Sequence, residues 1–593
     1  ERTALDASAE VTPNAIAREA LEEARLALEA RDRQRLAAMD PAPATFADLA
    51  TWPSGEERVK DQIGAAARRI GRVRVAPGKL PATTRQAESE LIFSGLPVYQ
   101  RAGMLVRPIT LDAPKTGGGA QLPAGALVLQ PADRYWLCWA LAKAATWEQY
   151  DRRRKDWVVV DPPLRVADTY LALPGDWRVP VLTGIVECPT LREDGSLLLI
   201  SGYDPASGLY VDYRGEPVLP IENPTREDAR AALETLKYPY GEFPFAEGDV
   251  DLAVVIAAIL TAVIRRSLRT APLFAFDAPV MGSGKGLIVN SIALIATGRV
   301  APAISQGKDE TEDEKRLGAL LLQGVSLLNV DNIERDLHGN LLCSALTETT
   351  IAIRVLGQSQ VFNLPARVAM FATGNNLRPR GDMVRRMLLC RIEPGVERPD
   401  ARKFSLNLKE YIIRRRARLL AAALTLLRAY IVAGKPKQDI EPYGSFEDWS
   451  DLVRSALVWL GMPDPNATRA RLEAADTVAI HLRTILNLWH ATLGDRCVTA
   501  AEVAQQAGGA EHLHLRAALV EVAASPRDPE RVDAQRLGRW LGKYQGRVVD
   551  GLRLDKAGMN TDAKIFYWRV KKIPSTGDTG IPGIVSPPCV ENA

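Results

Sequence analysis

The chain has 593 residues, more than one hydrophobic core usually organises, which predicts several domains. Hydrophobic residues make up 47% and charged residues 25%, the proportions of a globular protein rather than a disordered or fibrous one. With 75 basic against 72 acidic side chains the net charge is +3, which excludes a histone-like polycation and confines any nucleic-acid contact to local patches.

Residues 1 to about 40 alternate Glu, Arg and Ala at helical spacing, so 1–84 is expected to be a helical arm and linker without chemistry of its own. From 85 to 224 short β-rich runs such as Leu127-Val128-Leu129 and Trp157-Val158-Val159-Val160 alternate with turn signals, predicting a β-rich domain. Trp136, Trp139 and Trp147 are read as core residues of one intervening helix. Helices from about 225 lead into alternating strands and helices up to 400, and two amphipathic helices follow, Leu406 to Val432 and Phe446 to Leu460, within a helical connector over 401–470. A mixed unit over 471–573 precedes a Pro-, Gly-, Ser- and Thr-rich tail, 574–593, expected to be disordered. The fold class is therefore α/β and multidomain.

The chemistry concentrates in the middle. The buried-strand pattern Leu273-Phe274-Ala275-Phe276 runs into a loop, Met281-Gly282-Ser283-Gly284-Lys285, and then an apolar helix beginning Gly286-Leu287. Strand, glycine loop, lysine and helix in that order form a phosphate cradle. Glycines turn backbone N–H groups inward, the helix N-terminus adds partial positive charge, and lysine reaches the outer phosphates. Gly282, Ser283, Gly284, Lys285, Gly286 and Leu287 are thus the candidate nucleotide contacts, with ATP and Mg²⁺ the expected ligands. Two positions depart from the usual pattern: Pro279 stands for the first glycine, and Gly286 for the hydroxyl residue that normally holds Mg²⁺. A plain glycine turn with a chance lysine is the bland alternative.

Phosphoryl transfer also needs a carboxylate at a neighbouring strand tip. The apolar run Gly324 to Val330 ends in Asp331, the candidate metal partner, followed by Asn332 where many motors have a glutamate. Glu334, Glu312 and Glu314 stay open as the base. A third strand, Ala366 to Ala372, ends in Thr373-Gly374-Asn375-Asn376, whose amides can orient an attacking water. Arg385 and Arg386, before a further apolar strand, suit a role at a neighbouring subunit's phosphate or, more simply, ion pairs with Asp382 or Glu393.

These segments resemble the AAA+ ATPases, and more narrowly the superfamily 3 helicase type found in primase-helicases of phages, plasmids and integrated islands. The resemblance rests on Gly282-Ser283-Gly284-Lys285-Gly286, Val330-Asp331-Asn332-Ile333-Glu334, Arg354-Val355-Leu356-Gly357, Thr373-Gly374-Asn375-Asn376 and Gly381-Asp382-Met383-Val384-Arg385-Arg386. It implies a ring, typically a hexamer, with Lys285 and Asp331 acting in one protomer and Arg385 or Arg386 completing the site from the next. It also implies a DNA-contacting hairpin over Thr350 to Phe362, with Arg354 and Gln358 as contacts; the alternative is that the hairpin only packs the ring and Arg354 pairs with Glu348. The function implied is an ATP-driven DNA helicase of a mobile element. The rivals are an origin-recognition factor that binds ATP without turnover and a protein-remodelling ATPase.

Near the end, Thr499 reads as a helix cap and Arg536, Arg539 and Lys543 as a basic helix before two strands, a winged-helix-like arrangement with DNA as its first-choice ligand. Asp249-Val250-Asp251 lacks a following histidine, so no primase is read within these residues; if the complete protein primes DNA, the primase domain is expected before Glu1 or as a partner. The six cysteines (Cys138, Cys188, Cys343, Cys390, Cys497, Cys589) form no CxxC pair, and His512 with His514 has no thiol nearby, so zinc is not expected and the thiols read as reduced, in a cytoplasmic protein. No apolar run reaches membrane-spanning length; Leu252 to Ile264 is too short.

Overall fold

The computed structural model describes residues 71–117, 119–354, 361–475, 477–560 and 565–573. The expected N-terminal arm up to residue 70, the tail from 574, Gln358 and the hairpin turn around Gly357 lie outside the described residues. The described residues form two compact units, one of 71–76 with 144–160 and one of all the others.

The smaller unit is a three-stranded sheet. Gly71–Val75 lies parallel to Ala145–Asp151, which pairs antiparallel with Asp156–Val159. Trp147 belongs to its middle strand and is buried; it is not on the helix of Trp136 and Trp139, as the sequence suggested. The helix Arg134–Ala144 ends first, and the β-propensity of Thr146, Trp147 and Tyr150 takes over. Trp139 is 48% exposed with the Lys143 ammonium 4.6 Å above its ring, so it is a surface residue and not core.

In the larger unit the helix Leu80–Phe93 runs across residue 84, and the β-rich segment begins with an antiparallel sheet of Tyr99–Arg101, Met104–Thr110 and Leu127–Pro131. Its smaller sheets include Gly184–Val186 with Gly202–Asp204 and Leu209–Val211. Arg192 grips Asp204 with two parallel N–H···O bonds of 2.9 and 3.0 Å, which holds the carboxylate at about 2.

The helix α1 (Asp249–Ile264) is apolar all round because it is buried all round, against the central sheet. That sheet contains β1 (Leu273–Ala278), β2 (Ala303–Ser305), β3 (Leu327–Ile333), β4 (Ala369–Asn375) and β5 (Met387–Arg391), parallel and in the order β5–β1–β4–β3–β2. Continuous apolar runs in β1 and β4 follow from burial on both faces. A hairpin from the β-rich segment, Lys115–Gly117 and Ala120–Leu122, extends the sheet antiparallel beyond β2. The sequence showed only a glycine breaker there.

Three buried arginines spend their donors on backbone carbonyls, and two of them, Arg266 and Arg101, tie the β-rich segment to the central one. Arg265 donates to the carbonyls of Val368, Leu268 and Ala366, and Arg266 to those of Ile185, Gly324 and Val325. Arg101 donates to Leu321 and Leu322 O at the carboxyl end of a helix described below. Burial pushes Arg265 and Arg266 down to about 9 and Arg101 to about 10.

After β5 the helix Leu408–Val432 forms as expected, and the second amphipathic helix is helical from Glu447 to Trp459 with one irregular turn. That turn is a π-turn over Ser450–Arg454, with Ser455 Oγ bonded to Ser450 O and the buried Arg454 paired to Asp464 at 2.7 Å. The C-terminal segment has its own core, including Trp489, Leu519, Leu537, Leu541 and Trp568. Its sheet runs Val498–Thr499, Ile565–Lys572, Leu552–Asn560, Val548–Val549. Thr499 caps the helix Ala500–Ala507 reciprocally with Glu502. Cys497 is disulfide-bonded, which corrects the expectation of six reduced thiols; Cys138, Cys188, Cys343 and Cys390 are free.

Candidate functional site

The carboxyl ends of β1, β4 and β3 lie side by side, and Lys285, Asp331, Asn375 and Asn376 are gathered there. β1 ends at Ala278, and the loop carries exposed Pro279, Val280, Met281 and Gly282 before α2 (Lys285–Thr297). Gly282 and Gly284 take φ of 71° and 95°, a left-handed backbone that other residues resist. Space argues likewise: a Cβ on Gly284 would lie 3.0 Å from the Phe243 ring, and one on Gly282 would lie 3.2 Å from Asp400 Cβ. Ser283 is buried, its hydroxyl donating to Val280 O at 2.6 Å and pinning the loop to itself.

Lys285 Nζ donates to Val280 O at 3.1 Å and to Asn375 Oδ1 at 2.7 Å, joining the loop to the tip of β4. Burial lowers the pKa of Lys285, and the nearby Asp277 carboxylate opposes that shift. Asp277, at the end of β1, is itself buried and its pKa is raised by desolvation; it accepts from Leu377 N at 3.0 Å and from Arg391 Nη1 at 2.7 Å. The sequence reading gave Asp277 no role. An acidic residue just before a glycine loop was the available signal.

Asp331 is exposed at the tip of β3, where the pairing with β4 slips between Val330 and Ile333. The slip is a bulge with Asn332 at φ 50°, and it turns the carboxylate out of the sheet. Thr373, two residues before Asn375 on β4, donates its hydroxyl to Asp331 Oδ1 at 2.6 Å and accepts from Asn332 N at 3.2 Å. This positioning hydroxyl is a second residue the sequence reading missed; within the Thr373-Gly374-Asn375-Asn376 turn only the amides drew notice. Asn376, at φ 52°, is held by its N–H to Ala278 O at 3.2 Å, so the two strand tips are tied together.

Of the three candidate bases, Glu312 pairs with Lys315 at 2.7 Å and Glu314 accepts from Leu341 N at 3.4 Å, both on α3 (Glu310–Leu322). Glu334 stays beside Asp331, exposed, and accepts from Asn332 Nδ2 at 3.1 Å. A magnesium ion takes oxygen ligands in an octahedron, most of them water and phosphate. No group of three or more His, Cys, Asp and Glu fit to hold a metal occurs among the described residues, and Gly286 brings no hydroxyl. A strand-tip carboxylate such as Asp331, without a full protein ligand set, fits a metal that enters with a nucleotide's phosphates.

Arg385 and Arg386 sit at the opposite end of the sheet, where Arg386 O accepts from Leu273 N at the start of β1. β1 is about 16 Å long at the usual rise, so neither serves a phosphate at Lys285 of the same chain. Arg386 is only 14% exposed and is occupied by Cys343 O, Thr347 and Asp382. Arg385 is 55% exposed and forms an ion pair with Asp382 at 3.1 Å.

The hairpin Thr350–Arg354 with Val361–Pro365 lies between β3 and β4, with Ile351, Ile353 and Leu364 packed inward. Arg354 ends its first strand. On the C-terminal helix Ala534–Tyr544, Leu537, Leu541 and Tyr544 are buried, leaving Arg536, Arg539 and Lys543 together on the exposed face. Asp251 is no metal ligand: it is buried and binds Arg471, Arg391 N and Glu247 N. No helix among the described residues is long and apolar enough to cross a membrane.

No protein-family description matches the chain, and no curated protein matches it. Among solved structures it is similar to the A form apo structure of the NrS-1 C-terminal region, at 11% identity and a TM-score of 0.34, covering 82% of this chain and 98% of that one. It is also similar to the SCCmec type IV Cch active helicase, at 12% identity and 0.32, covering 80% and 97%. The JCV helicase gives 13% identity and 0.17, covering 44% and 71%. Scores at this level leave the functional reading to the site itself.

Proposed function

We propose that the chain is an ATPase whose turnover drives movement along DNA, a ring-forming helicase or translocase of the AAA+, superfamily 3 type. The observation that carries the reading is the contact of Lys285 with Asn375 beside a glycine loop, with Asp331 and Thr373 at the adjoining strand tip. The loop N–H groups and Lys285 would hold the β- and γ-phosphates of ATP. Asp331 would hold Mg²⁺ brought by the nucleotide, which would neutralise charge on the phosphates. Asn375 would orient the attacking water, with Asn376 beside it, and Glu334 would take its proton.

The order β5–β1–β4–β3–β2 and the hairpin between β3 and β4 support the AAA+ assignment. In a ring, most simply a hexamer, Arg385 would reach the neighbour's phosphate, because it lies at the far end of the sheet from its own loop. Arg354 and Gln358 on the hairpin and Arg536, Arg539 and Lys543 on the C-terminal helix would meet DNA phosphates. Replication of a mobile element, with a primase on the same protein or a partner, is the setting that fits. A second reading, an origin-recognition factor that binds ATP without turnover, is favoured by one observation: Gly286 and Asn332 stand where a hydroxyl and a carboxylate would serve hydrolysis.

Phosphate release by the purified chain, with and without single-stranded DNA and alongside Lys285→Ala, decides between them. Hydrolysis stimulated by DNA and abolished in the variant supports the motor. Nucleotide binding without hydrolysis under both conditions sinks it in favour of the second reading.

A further inference from the structure

The sheet of the smaller unit has two unlike faces. Alternation sends Trp147, Val73 and Val75 to the buried side. The other side presents Arg72, Arg74, Tyr150, Trp157 and Val159, with Tyr150 opposite Trp157 in the register. Tyr150 is 46% and Val159 73% exposed, an unusual amount of open apolar surface for one small sheet. The Arg74 guanidinium lies 4.4 Å from the Trp157 ring centroid, and Tyr150 meets the same indole edge-on at 5.6 Å. Glu148 lies beneath Arg72 and Arg74, at 3.5 and 3.3 Å, so one carboxylate serves two cations.

The turn that continues this face is Asp151-Arg152-Arg153-Arg154-Lys155-Asp156. Asp151 accepts from the N–H groups of Arg153 and Arg154 at 2.7 and 3.3 Å, and Lys155 takes φ 53° to close the loop. Arg154 lies 3.8 Å from Asp151; Arg152, Arg153 and Lys155 are exposed and meet no carboxylate among the described residues. The protein as a whole is almost neutral, so this concentration of cations is local. A basic turn alone would read as a solvated loop. The adjoining aromatic pair, Tyr150 exposed and Trp157 half-buried, is what a solvated loop does not need.

Cations that track phosphates beside rings that accept bases are the chemistry of single-stranded nucleic-acid binding; in a duplex the base faces are stacked away. We propose that this hairpin is a single-strand contact, with bases stacking on Trp157 and Tyr150 and phosphates meeting the Arg152–Lys155 turn. It is separate from nucleotide hydrolysis, so its failure and the failure of the motor reading are told apart by measuring binding without ATP.

The test is anisotropy of a labelled oligothymidylate with the full chain across a salt series. Replacing Arg152, Arg153 and Lys155 together by alanine is expected to weaken binding at least tenfold and flatten the salt slope by about 2, near 0.7 per single-strand phosphate contact. Trp157→Ala is expected to lose about tenfold with the slope unchanged, and Trp157→Phe to restore most of it, as a stacking role requires. The ATPase rate without DNA should stay as in the parent for all of them. Wild-type affinity and slope in the triple variant would overturn the proposal. So would equal competition by polyglutamate, which would give the hairpin to an acidic protein, or an unaffected Trp157→Ala, which would leave only nonspecific charge.

Discussion

Lys285 Nζ stands 2.7 Å from Asn375 Oδ1, so the residue that would grip the outer phosphate and the one that would orient water are already in contact. The contact joins the loop after β1 to the tip of β4, neighbours in the sheet. Lys285→Ala is expected to remove hydrolysis by at least a hundredfold, and Asn375→Ala to lower kcat about ten- to a hundredfold with nucleotide affinity nearly unchanged. A matching loss of affinity in Asn375→Ala, measured with a fluorescent nucleotide, would show that the amide only props the lysine.

The charge on Lys285 sets an alkaline limit. Only the ammonium form attracts phosphate, and burial lowers its pKa, so affinity should begin to fall at a lower pH than an ordinary lysine would give. Asp277 opposes that shift, so Asp277→Asn should move the fall lower still. Nucleotide titrations from neutral to alkaline pH check the sign; an unmoved limb means the two groups are not coupled.

Gly286 faces open space: nothing lies within 4 Å of where a Cβ would be. Gly286→Ser therefore fits without strain and supplies the missing hydroxyl. Hydrolysis should then half-saturate at several-fold lower Mg²⁺, with Tm unchanged or slightly raised because glycine is a poor helix former. No change in Mg²⁺ dependence would place the metal away from the helix N-terminus.

Arg385 and Arg386 should separate cleanly. Arg386→Ala strips three acceptors of a half-buried partner and should cost about 1–3 kcal/mol of stability. Arg385→Ala should leave the melt alone and abolish hydrolysis. Mixing it with Lys285→Ala protein should restore activity, because some interfaces then carry both wild-type residues. Absence of complementation, in an assembly shown to mix, would count against a shared site.

Asp204 offers a stability test away from the candidate site. Its folded carboxylate titrates at about 2, below its unfolded value, because Arg192 bonds the charged form. The stabilisation is thus complete above the unfolded pKa and disappears as pH falls toward 2. Asp204→Asn should cost about 1–2 kcal/mol at neutral pH, and the gap between the two melting temperatures should close on acidification.

The candidate site was legible in the sequence because its parts are local. Strand, glycine loop and helix are contiguous from Leu273 onward, and the apolar runs before Asp331 and Asn375 mark strands buried on both faces. What escaped depends on distant pairing. Thr373 matters through Asp331, which precedes it by many residues, and Asp277 through Arg391. Arg265-Arg266 looks like a solvated basic pair until Ile185, Gly324 and Val368 carbonyls close around it. Trp147 was misplaced because an aromatic at helical spacing from Trp136 and Trp139 satisfies either period.

The grip of Arg101 on the last carbonyls of α3 has a mechanical meaning. The helix starts at Glu310, next to the stretch where Gln306 accepts from the backbone of Glu334 and Arg335, and ends under the arginine. A hydrogen-bonded helix of this length is a stiff strut of about 20 Å. A displacement of the Gln306 stretch as phosphate comes and goes would be handed along that strut to the β-rich segment, making Arg101 the far end of a lever and the sheet tip its near end.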